Sequence, residues 1–500
     1  MTRVVVIGAG LGGLAAALRL QGSGHEVVVV EQRERPGGRA YQIKDRGFTW
    51  DTGPSLVTMP WVLEETFAAG GLDLRSEVEL RRLDPMYRIL WGGEEEHFDF
   101  VADADGLATE AAKFSTADAA RVGDFLAALR PIYEQGILDA GRRSFGSAAA
   151  FASIVPAMVR LNALVPLHRF VAGYFTHPRV QEAFSFHSLF IGGDPFRVPA
   201  IYAALVYLQV NDGGWYVDGG VYALVEAMAR TLDVRCGVPV EAIEHRGGRV
   251  TGVRLAGGER LAADVVVSNA DVLRTHELVG RRPPLRRLRP TMSCFLLYLG
   301  TDRVFEQLKH HTLLVGTGYR DFIRTVTRGR ELPRSYSTYV HAPARTEAAM
   351  ARPGGDSLAI LLPVPNLRAG IDWTTEQEGL RDALLSDLEQ TFGLTGLNAS
   401  IEVEHRMTPP EFARQLGAVD GNAFAIEPTL QQSAYFRVPN RDRLAGLYHV
   451  GGGTHPGAGI PGVLMGAEVT AGLVAADTSR DTNARSGTNG EASVSGSRRN

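Results

Sequence analysis

The sequence has few cysteines and no excess of positive charge, and both absences exclude classes of protein. Its 500 residues contain two cysteines, Cys236 and Cys294, too few for a disulfide scaffold and not at a metal-binding spacing. We therefore predict no disulfide framework and no metal site, and we expect a reducing compartment. The formal net charge of −4 lacks the basic excess of nucleic-acid-binding proteins, so we predict no nucleic-acid partner.

The sequence also lacks an apolar run long enough to cross a membrane. The longest such stretch, residues 145–159, has fifteen residues and contains a proline, whereas a helix needs about 18–20 residues to span a bilayer. The N-terminal stretch superficially resembles a signal peptide, but its glycine spacing and its lack of a polar cleavage region are typical of mature structure. We expect a cytoplasmic protein.

What is present is an α/β pattern. Residues 3–10 form a β-branched run that predicts a buried strand, residues 11–24 predict a helix, and residues 25–32 predict a second strand. A strand, a glycine turn, a helix and a strand make a βαβ unit, and such units build parallel sheets. Residues 105–205 then have a helical pattern, and residues 234–270 return to strands with glycine turns.

A dinucleotide-binding fingerprint lies between the first strand and the first helix. Gly8, Gly10 and Gly13 form G-x-G-x-x-G, in which the glycines permit a tight turn, close approach of a pyrophosphate, and packing of helix on strand. The helix N-terminus then meets the diphosphate with free N–H groups. Glu31 ends the second strand, where a carboxylate accepts from ribose hydroxyls and would repel a 2′-phosphate. The pattern predicts FAD or NAD, not NADP.

Two further small-residue segments favour FAD, the longer and bent cofactor. "RPGGR", residues 35–39, places Arg39 just past the second strand, where it can meet a phosphate or the flavin ring edge. "DTGPS", residues 51–55, contains Gly53 and predicts another close approach of backbone, near the ring system.

A second glycine cluster lies far away in the sequence, near the C-terminus. "GGGTHPGAGIPGV", residues 451–463, predicts a glycine loop followed by a helix that begins at about Pro461. The N-terminus of that helix, near Gly462 and Val463, is an electropositive end suited to the pyrimidine edge of the flavin ring. We therefore predict that the N-terminal glycines hold the diphosphate and that the C-terminal ones hold the ring of the same FAD.

The chain is too long for one ordinary core, so we predict a Rossmann-type FAD-binding domain interleaved with a substrate domain of mixed sheet and helices. The FAD-binding domain is assigned to residues 1–95, 212–290 and 415–477. The substrate domain, which faces the membrane, is assigned to residues 96–211 and 291–414. Residues 478–500 are polar and poor in apolar side chains, which predicts a disordered tail.

These motifs resemble those of the bacterial-type phytoene desaturases, FAD-dependent carotenoid desaturases of the amine-oxidase-like flavoprotein group. The resemblance covers about residues 2–477. Its more specific pieces are "FSFHSLFIGGDPF" (184–196), "GGWYVDGGVYALVEAM" (213–228), "YVHAPARTE" (339–347) and "LYHVGGGTHPGAGIPGV" (447–463). The resemblance implies one noncovalent FAD, a hydrophobic C40 polyene substrate, and peripheral association with the inner face of the cell membrane.

The resemblance also assigns residues, with two departures. It implies that Val240 contacts the adenine through its backbone. Amine oxidases carry an acid after the C-terminal glycine pair, whereas this chain has Gly453, so backbone groups or Thr454 must bind the ribityl chain. Asp218 stands where many phytoene desaturases have Pro-Arg, which leaves the exact substrate open.

The catalytic group is not assigned from the sequence, because flavin is the redox centre and a hydrocarbon offers nothing to hydrogen-bond. Weak candidates for the acid or base are His187, His341, Arg345 and His455. His187 is otherwise a core histidine, and Arg345 is otherwise a partner of Glu347. Asp194 is interpreted as a turn residue.

The leading hypothesis is a desaturase that converts phytoene towards neurosporene or lycopene by hydride transfer to flavin, with oxygen or a quinone as electron acceptor. Alternatives within the family are a 3,4-desaturase, an isomerase or a terminal oxidase of carotenoids. An amine or porphyrinogen oxidase and a non-catalytic flavin-binding scaffold are more distant alternatives. The uncharged stretches 145–167 and 198–211 are consistent with an apolar channel or a membrane face, or with ordinary helical core.

Overall fold

This computed structural model describes residues 1–145, 148–284 and 288–491, with the backbone alone for residues 148, 150 and 481–491. The strands of these residues, in chain order, are β1 (Arg3–Ile7), β2 (Glu26–Val30), β3 (Gln42–Asp45), β4 (Phe48–Asp51), β5 (Leu80–Arg82), β6 (Tyr87–Trp91), β7 (His97–Phe100), β8 (Trp215–Val217), β9 (Asp233–Arg235), β10 (Val240–Arg246), β11 (Arg249–Leu255), β12 (Arg260–Ala262), β13 (Val265–Ser268), β14 (Ser293–Thr301), β15 (His311–Val315), β16 (Thr338–His341), β17 (Asp356–Val364), β18 (Ile401–Met407) and β19 (Leu447–His449).

The α-helices of the same residues are α1 (Leu11–Gly22), α2 (Pro60–Ala69), α3 (Leu74–Glu77), α4 (Ala104–Ala112), α5 (Thr116–Ala119), α6 (Val122–Ile132), α7 (Ala148–Arg160), α8 (Leu167–Val171), α9 (Pro178–Ser185), α10 (Ala204–Asp212), α11 (Tyr222–Ala229), α12 (Val272–Leu278), α13 (Tyr319–Arg328), α14 (Trp373–Phe392), α15 (Pro409–Leu416) and α16 (Ile460–Glu491).

A five-stranded parallel sheet joins the two ends of the chain. Its order is β19-β13-β1-β2-β9, and each neighbouring pair is parallel. The central strand β1 is buried from Val4 to Ile7, as its β-branched run predicts for a strand covered on both faces. The carboxyl ends of these strands all meet at one edge, which is where ligands bind in open α/β sheets.

The second large sheet is mixed and has seven strands, in the order β18-β14-β17-β16-β15-β6-β7. Its pairs are antiparallel except β6 with β15, which is parallel. The central strands β14 and β17 are almost entirely buried, so this sheet carries its own core. The α/β class predicted from the sequence is therefore observed, with an all-parallel sheet and a mixed sheet.

The observed strand pairing bears on one predicted domain boundary. Residues 1–95 were assigned to the FAD-binding domain, but β6 pairs with β15 of the mixed sheet. The first 95 residues therefore contribute to both sheets, because β6 and β7 form a hairpin that cannot be divided between two domains.

The C-terminal helix α16 also differs from the prediction. It continues to Glu491, whereas disorder was predicted from residue 478; the rest of that tail lies outside the described residues. A long helix, once nucleated, extends at little further cost. Of the described residues, only Ile460–Arg480 has the length and apolarity of a membrane span. Its side chains at Leu464, Ala467 and Val474 are fully buried, so we describe it as a core helix.

Candidate active site

One large cavity runs between the two sheets. Its volume is about 890 Å³, and glycine loops at the carboxyl edge of the parallel sheet line one side of it, whereas apolar side chains of the mixed sheet and of α10 line the other. We call these the glycine wall and the apolar wall. The cavity therefore joins the loops predicted to hold FAD to the region predicted to hold substrate.

The N-terminus of α1 is built so that only glycine fits. A Cβ on Gly13 would lie 2.1 Å from the carbonyl oxygen of Gly8, and one on Gly12 would lie 2.9 Å from the side chain of Asn269. The helix has no side-chain cap and no acidic residue in its first turn. Its first N–H groups and its positive dipole end are therefore available to an anion, as the fingerprint predicts for a diphosphate.

Glu31 lies directly after β2 and is only 5% exposed. One carboxylate oxygen accepts from the backbone N–H of Ala9 at 2.8 Å, and the other accepts from the N–H of Arg33 at 2.9 Å. These two bonds fix the carboxylate at the cavity wall, and each oxygen keeps a lone pair for a ribose hydroxyl.

Val240 lies at the same end of the cavity, beside Val238 and Glu241. The N–H of Val238 donates to the carbonyl oxygen of Glu31 at 2.8 Å. The residue that the resemblance assigns to adenine therefore lies next to the residue that the fingerprint assigns to ribose.

Asn269 is a residue of the glycine wall that the sequence analysis missed. It follows β13, lines the cavity, and donates from Nδ2 to the carbonyl oxygen of Gly8 at 3.2 Å. Its side chain also approaches Gly451, where a Cβ would lie 2.6 Å away. Asn269 thus joins the N-terminal and C-terminal glycine loops, and its position just after a buried valine run is the signal that would have found it.

Arg39 and Gly53, which were predicted to approach the cofactor, both line the cavity, but the guanidinium of Arg39 is bound to protein. Its Nε donates to the carbonyl oxygen of Ala423 at 2.7 Å, and its Nη2 donates to the side chain of Asn422 at 3.1 Å. Arg39 therefore fixes the loop at residues 422–423 and presents its remaining surface to the cavity. Gly53 packs against Arg39 itself, whose carbonyl oxygen would lie 2.2 Å from an added Cβ.

Of the four cofactor-binding residues predicted in the C-terminal loop, three line the cavity and one does not. Gly453, Gly462 and Val463 line the cavity. Thr454 does not belong to that lining: it is fully buried, and its hydroxyl donates to the carbonyl oxygen of Val438 at 2.7 Å. The prediction that Thr454 substitutes for the missing acid therefore fails for its side chain, because the hydroxyl proton is already used. The backbone of residues 451–453 remains for that role.

The apolar wall consists of aromatic and aliphatic side chains from four regions of the chain. Among those that line the cavity are Phe186, Phe190, Leu205, Leu313, Tyr319 and Phe424. A carboxylate in this wall, Glu182, already accepts from Trp91 Nε1 at 2.7 Å and from Arg179 at 2.9 Å. The wall is therefore suited to a hydrocarbon chain.

The histidines His187 and His455 do not line the cavity. His187 is fully buried, and its Nε2 lies 2.7 Å from the hydroxyl of Tyr87. His455 Nε2 lies 3.0 Å from the carbonyl oxygen of Ala140. Burial lowers the pKa of His187 to about 3 and that of His455 to about 4, so both rings are neutral core groups at physiological pH.

The other two candidates are also absent from the lining. Arg345 forms a bidentate pair with Asp356, at 3.1 and 2.7 Å, and not the predicted pair with Glu347. His341 lies at the end of β16, is 2% exposed, and contacts two further histidines. Asp194 caps a turn, accepting from the N–H of Phe196 at 2.9 Å, and also pairs with Arg328 at 3.0 Å. None of these five residues lines the cavity, so none of them is placed to act on a bound substrate.

The residues present fit a flavin dinucleotide. Glu31 and Val240 could bind the adenosine end of the dinucleotide. The uncapped N-terminus of α1 could bind its diphosphate, and the backbone of residues 451–453 with the start of α16 could bind its ring system. The backbone of Gly8, Gly10, Gly12 and Gly451 lines this side of the cavity, and at Gly12 and Gly451 an added Cβ would collide with the side chain of Asn269.

Comparisons with known proteins agree with this geometry. The family model of the flavin-containing amine oxidoreductases matches residues 11–475. The lycopene-forming phytoene desaturase of Pantoea ananas is 39% identical over 95% of this chain and 100% of its own length. The neurosporene-forming phytoene desaturase of Cereibacter sphaeroides is 36% identical over 94% of each chain. The solved structure of cyclohexylamine oxidase from Brevibacterium oxydans matches 96% of this chain and 99% of its own, with a TM-score of 0.58 at 17% identity, and shows the fold alone.

Proposed function

The chain belongs to the phytoene desaturases of the flavin-containing amine oxidoreductase family, and from that membership we propose that it desaturates phytoene. The cofactor is FAD, and the enzyme is an oxidoreductase that acts on carbon–carbon single bonds. The observation that carries the proposal is the single cavity in which a glycine wall that fits FAD faces an apolar wall that fits a polyene.

FAD supplies the redox chemistry, since a flavin accepts a hydride. Each desaturation removes a hydride and a proton from adjacent carbons; bound FAD would supply the hydride acceptor, and an external oxidant would be needed to restore it. The chain's own residues bind and orient. Glu31 and the α1 N-terminus hold the dinucleotide, the loop at residues 451–453 fixes its ring end, and the apolar wall aligns the hydrocarbon and excludes water.

We also propose that the enzyme docks on a lipid bilayer through an exposed apolar face. The face comprises Phe151, Val159, Leu430, Tyr435 and Phe436. Four of these side chains are 39–57% exposed, and the ring of Phe151 packs against both Tyr435 and Phe436 at 5.9 and 5.4 Å. Large apolar side chains so exposed and so close together are typical of an interaction surface.

This apolar face adjoins the cavity. Tyr202 lines the cavity, and its hydroxyl lies 3.0 Å from Ser433 Oγ, between Leu430 and Tyr435 in sequence. Because a C40 hydrocarbon dissolves in lipid and not in water, a face beside the cavity is where such a substrate enters. We therefore propose the inner face of the cell membrane as the location of the enzyme.

One experiment tests both parts. The purified protein, loaded with FAD, is incubated with phytoene in liposomes or in detergent micelles, and products are separated by chromatography with a diode-array detector. We expect red-shifted polyenes of the neurosporene or lycopene type, whose absorption spectra count the steps. Unchanged phytoene in the presence of bound flavin would overturn the proposed reaction.

The double variant Y435S/F436S tests the docking face separately. We expect it to retain flavin, to lose flotation with liposomes, and to keep its activity in micelles, since the change lies outside the cavity. Full liposome binding by this variant would overturn the docking proposal alone.

The electron acceptor is identified by running the assay without oxygen, with or without a quinone in the liposomes. Turnover only with the quinone assigns the quinone as the acceptor, and turnover only in air assigns oxygen.

A further inference from the structure

Three histidines meet in the interior of the mixed sheet, close behind the apolar wall. His311 begins β15 and stands directly opposite His341 of β16 in the antiparallel register, and His310 precedes His311. All three are at most 5% exposed. One ring nitrogen of each lies within 4.8 Å of the others. We call these residues the histidine cluster.

The hydrogen bonds of the cluster bring two of its Nε2 atoms together and leave the third without a partner. His310 Nδ1 lies 2.6 Å from Thr346 Oγ1, and His311 Nδ1 lies 2.6 Å from the hydroxyl of Tyr339. His310 Nε2 and His341 Nε2 are 3.2 Å apart. His311 Nε2 is buried and has no hydrogen-bond partner, which is costly for a polar atom and indicates a missing ligand.

We propose that the histidine cluster binds one divalent transition-metal ion of the zinc class through three imidazole nitrogens. Zinc–nitrogen bonds are about 2.0–2.1 Å long, so two nitrogens on a tetrahedral zinc are about 3.4 Å apart, close to the distance from His310 to His341. The third ring has to move by about 1 Å to complete the site.

The surroundings have the features of a metal site. Metal-bound histidines characteristically donate their second N–H to an oxygen, and Thr346 and Tyr339 provide such oxygens here. Tyr216 packs on His310 with ring centres 4.7 Å apart and donates to the carboxylate of Glu347, so a negative charge lies near the site.

The histidine cluster is linked by hydrogen bonds to the cavity wall, which gives the ion a positioning role. The Tyr339 hydroxyl, which bonds His311, also lies 2.7 Å from Ser55 Oγ, and both Tyr339 and Ser55 line the cavity. An ion at the cluster would fix His311, and through it the orientation of two side chains of the cavity wall. The ion acts as a positioning group and takes no part in electron transfer.

The test uses the FAD-loaded protein, stripped of metal by a chelator and then dialysed against Zn²⁺ or Co²⁺. We expect one bound ion per chain by elemental analysis and, for Co²⁺, the intense visible bands of a tetrahedral site. His311→Gln should abolish both, and His405→Gln should change neither, because His405 is 37% exposed and lies outside the cluster.

A second variant distinguishes loss of metal from loss of folding. Thr346→Val removes the oxygen that orients His310 without touching a ligand atom, and we expect it to weaken Co²⁺ binding about 10–100-fold while flavin is retained. Absence of stoichiometric binding in the wild type, or binding that survives His311→Gln, would overturn the proposal and leave the cluster as hydrogen-bonded neutral histidines. The readouts are independent of carotenoid turnover, so the proposed reaction and this site fail or succeed separately.

Discussion

The glycine wall and the apolar wall of the cavity present opposite surfaces to what they bind. On the glycine wall backbone lines the cavity, and added Cβ atoms at Gly12, Gly53 and Gly451 would lie only 2.2–2.9 Å from protein atoms. On the apolar wall side chains such as Phe190 and Leu205 are the surface. Backbone geometry allows one residue type at a position, whereas side-chain packing allows any set of about the right volume.

The largest effect that we predict is a loss of flavin affinity on substitution of Gly13. Gly13→Ala would place a Cβ 2.1 Å from the carbonyl oxygen of Gly8, and both atoms belong to backbone that cannot move without opening the α1 N-terminus. We expect flavin affinity to fall by at least about 1,000-fold, or roughly 4 kcal/mol, measured as FAD retained after gel filtration and by fluorescence titration.

Gly379→Ala is the matched control. Gly379 lies exposed in the middle of α14, and nothing lies within 4 Å of an added Cβ there. We expect full flavin retention and a gain in stability of up to about 1 kcal/mol. Equal flavin affinity in Gly13→Ala and the wild type would show that the backbone does not form the cofactor surface.

The contrast between backbone geometry and side-chain packing also decides which features could be predicted from the sequence. Gly8, Glu31 and the loop at residues 451–453 were predicted because glycine spacing after a strand has one structural meaning. The clustering of His310 and His311 with His341, which was named only as a candidate acid or base, was missed because it depends on the register of β15 and β16, which no local pattern specifies. Thr454 was assigned wrongly for a similar reason, since only the fold shows that its hydroxyl donates to Val438. Tertiary pairing, and not local propensity, decides such contacts.

The second prediction concerns Asp51, which lies just before the cavity lining in sequence. Its carboxylate is buried, accepts from the N–H of Val221 at 2.9 Å, and lies just before Thr52 and Gly53 of the cavity lining. Burial raises the pKa of Asp51 to about 7 from its usual 3.8. Between those values the folded chain holds a proton that the unfolded chain has released, so this group's contribution to stability falls as pH rises from about 4 to 7.

Asp51→Asn removes that titration. At one pKa unit per 1.36 kcal/mol, the wild type should lose up to about 4 kcal/mol relative to the variant over this range, measured by urea unfolding at pH 4, 5.5 and 7. Glu95→Gln, a change at an exposed acid, is the matched control. Parallel profiles for Asp51→Asn and the wild type would mean that Asp51 is ionised in the folded protein at pH 4.

The smallest predicted effect is on the apolar wall, at Leu205 of α10. Leu205→Trp enlarges a half-buried side chain that lines the cavity. If the overpacking cost of about 1–3 kcal/mol falls on the complex that undergoes the last desaturation, its rate falls roughly 5–150-fold. Flavin retention should not change, because Leu205 belongs to the apolar wall and not to the glycine loops. Each desaturation replaces flexible single bonds by rigid double bonds, so a narrowed cavity accepts phytoene more readily than its stiffer products. We therefore expect products with fewer double bonds, identified by their absorption spectra, whereas Leu205→Met, which conserves volume, should give the wild-type products. Loss of flavin from Leu205→Trp would mean that the two walls are not independent, and the contrast between a backbone surface and a side-chain surface would fail at this position.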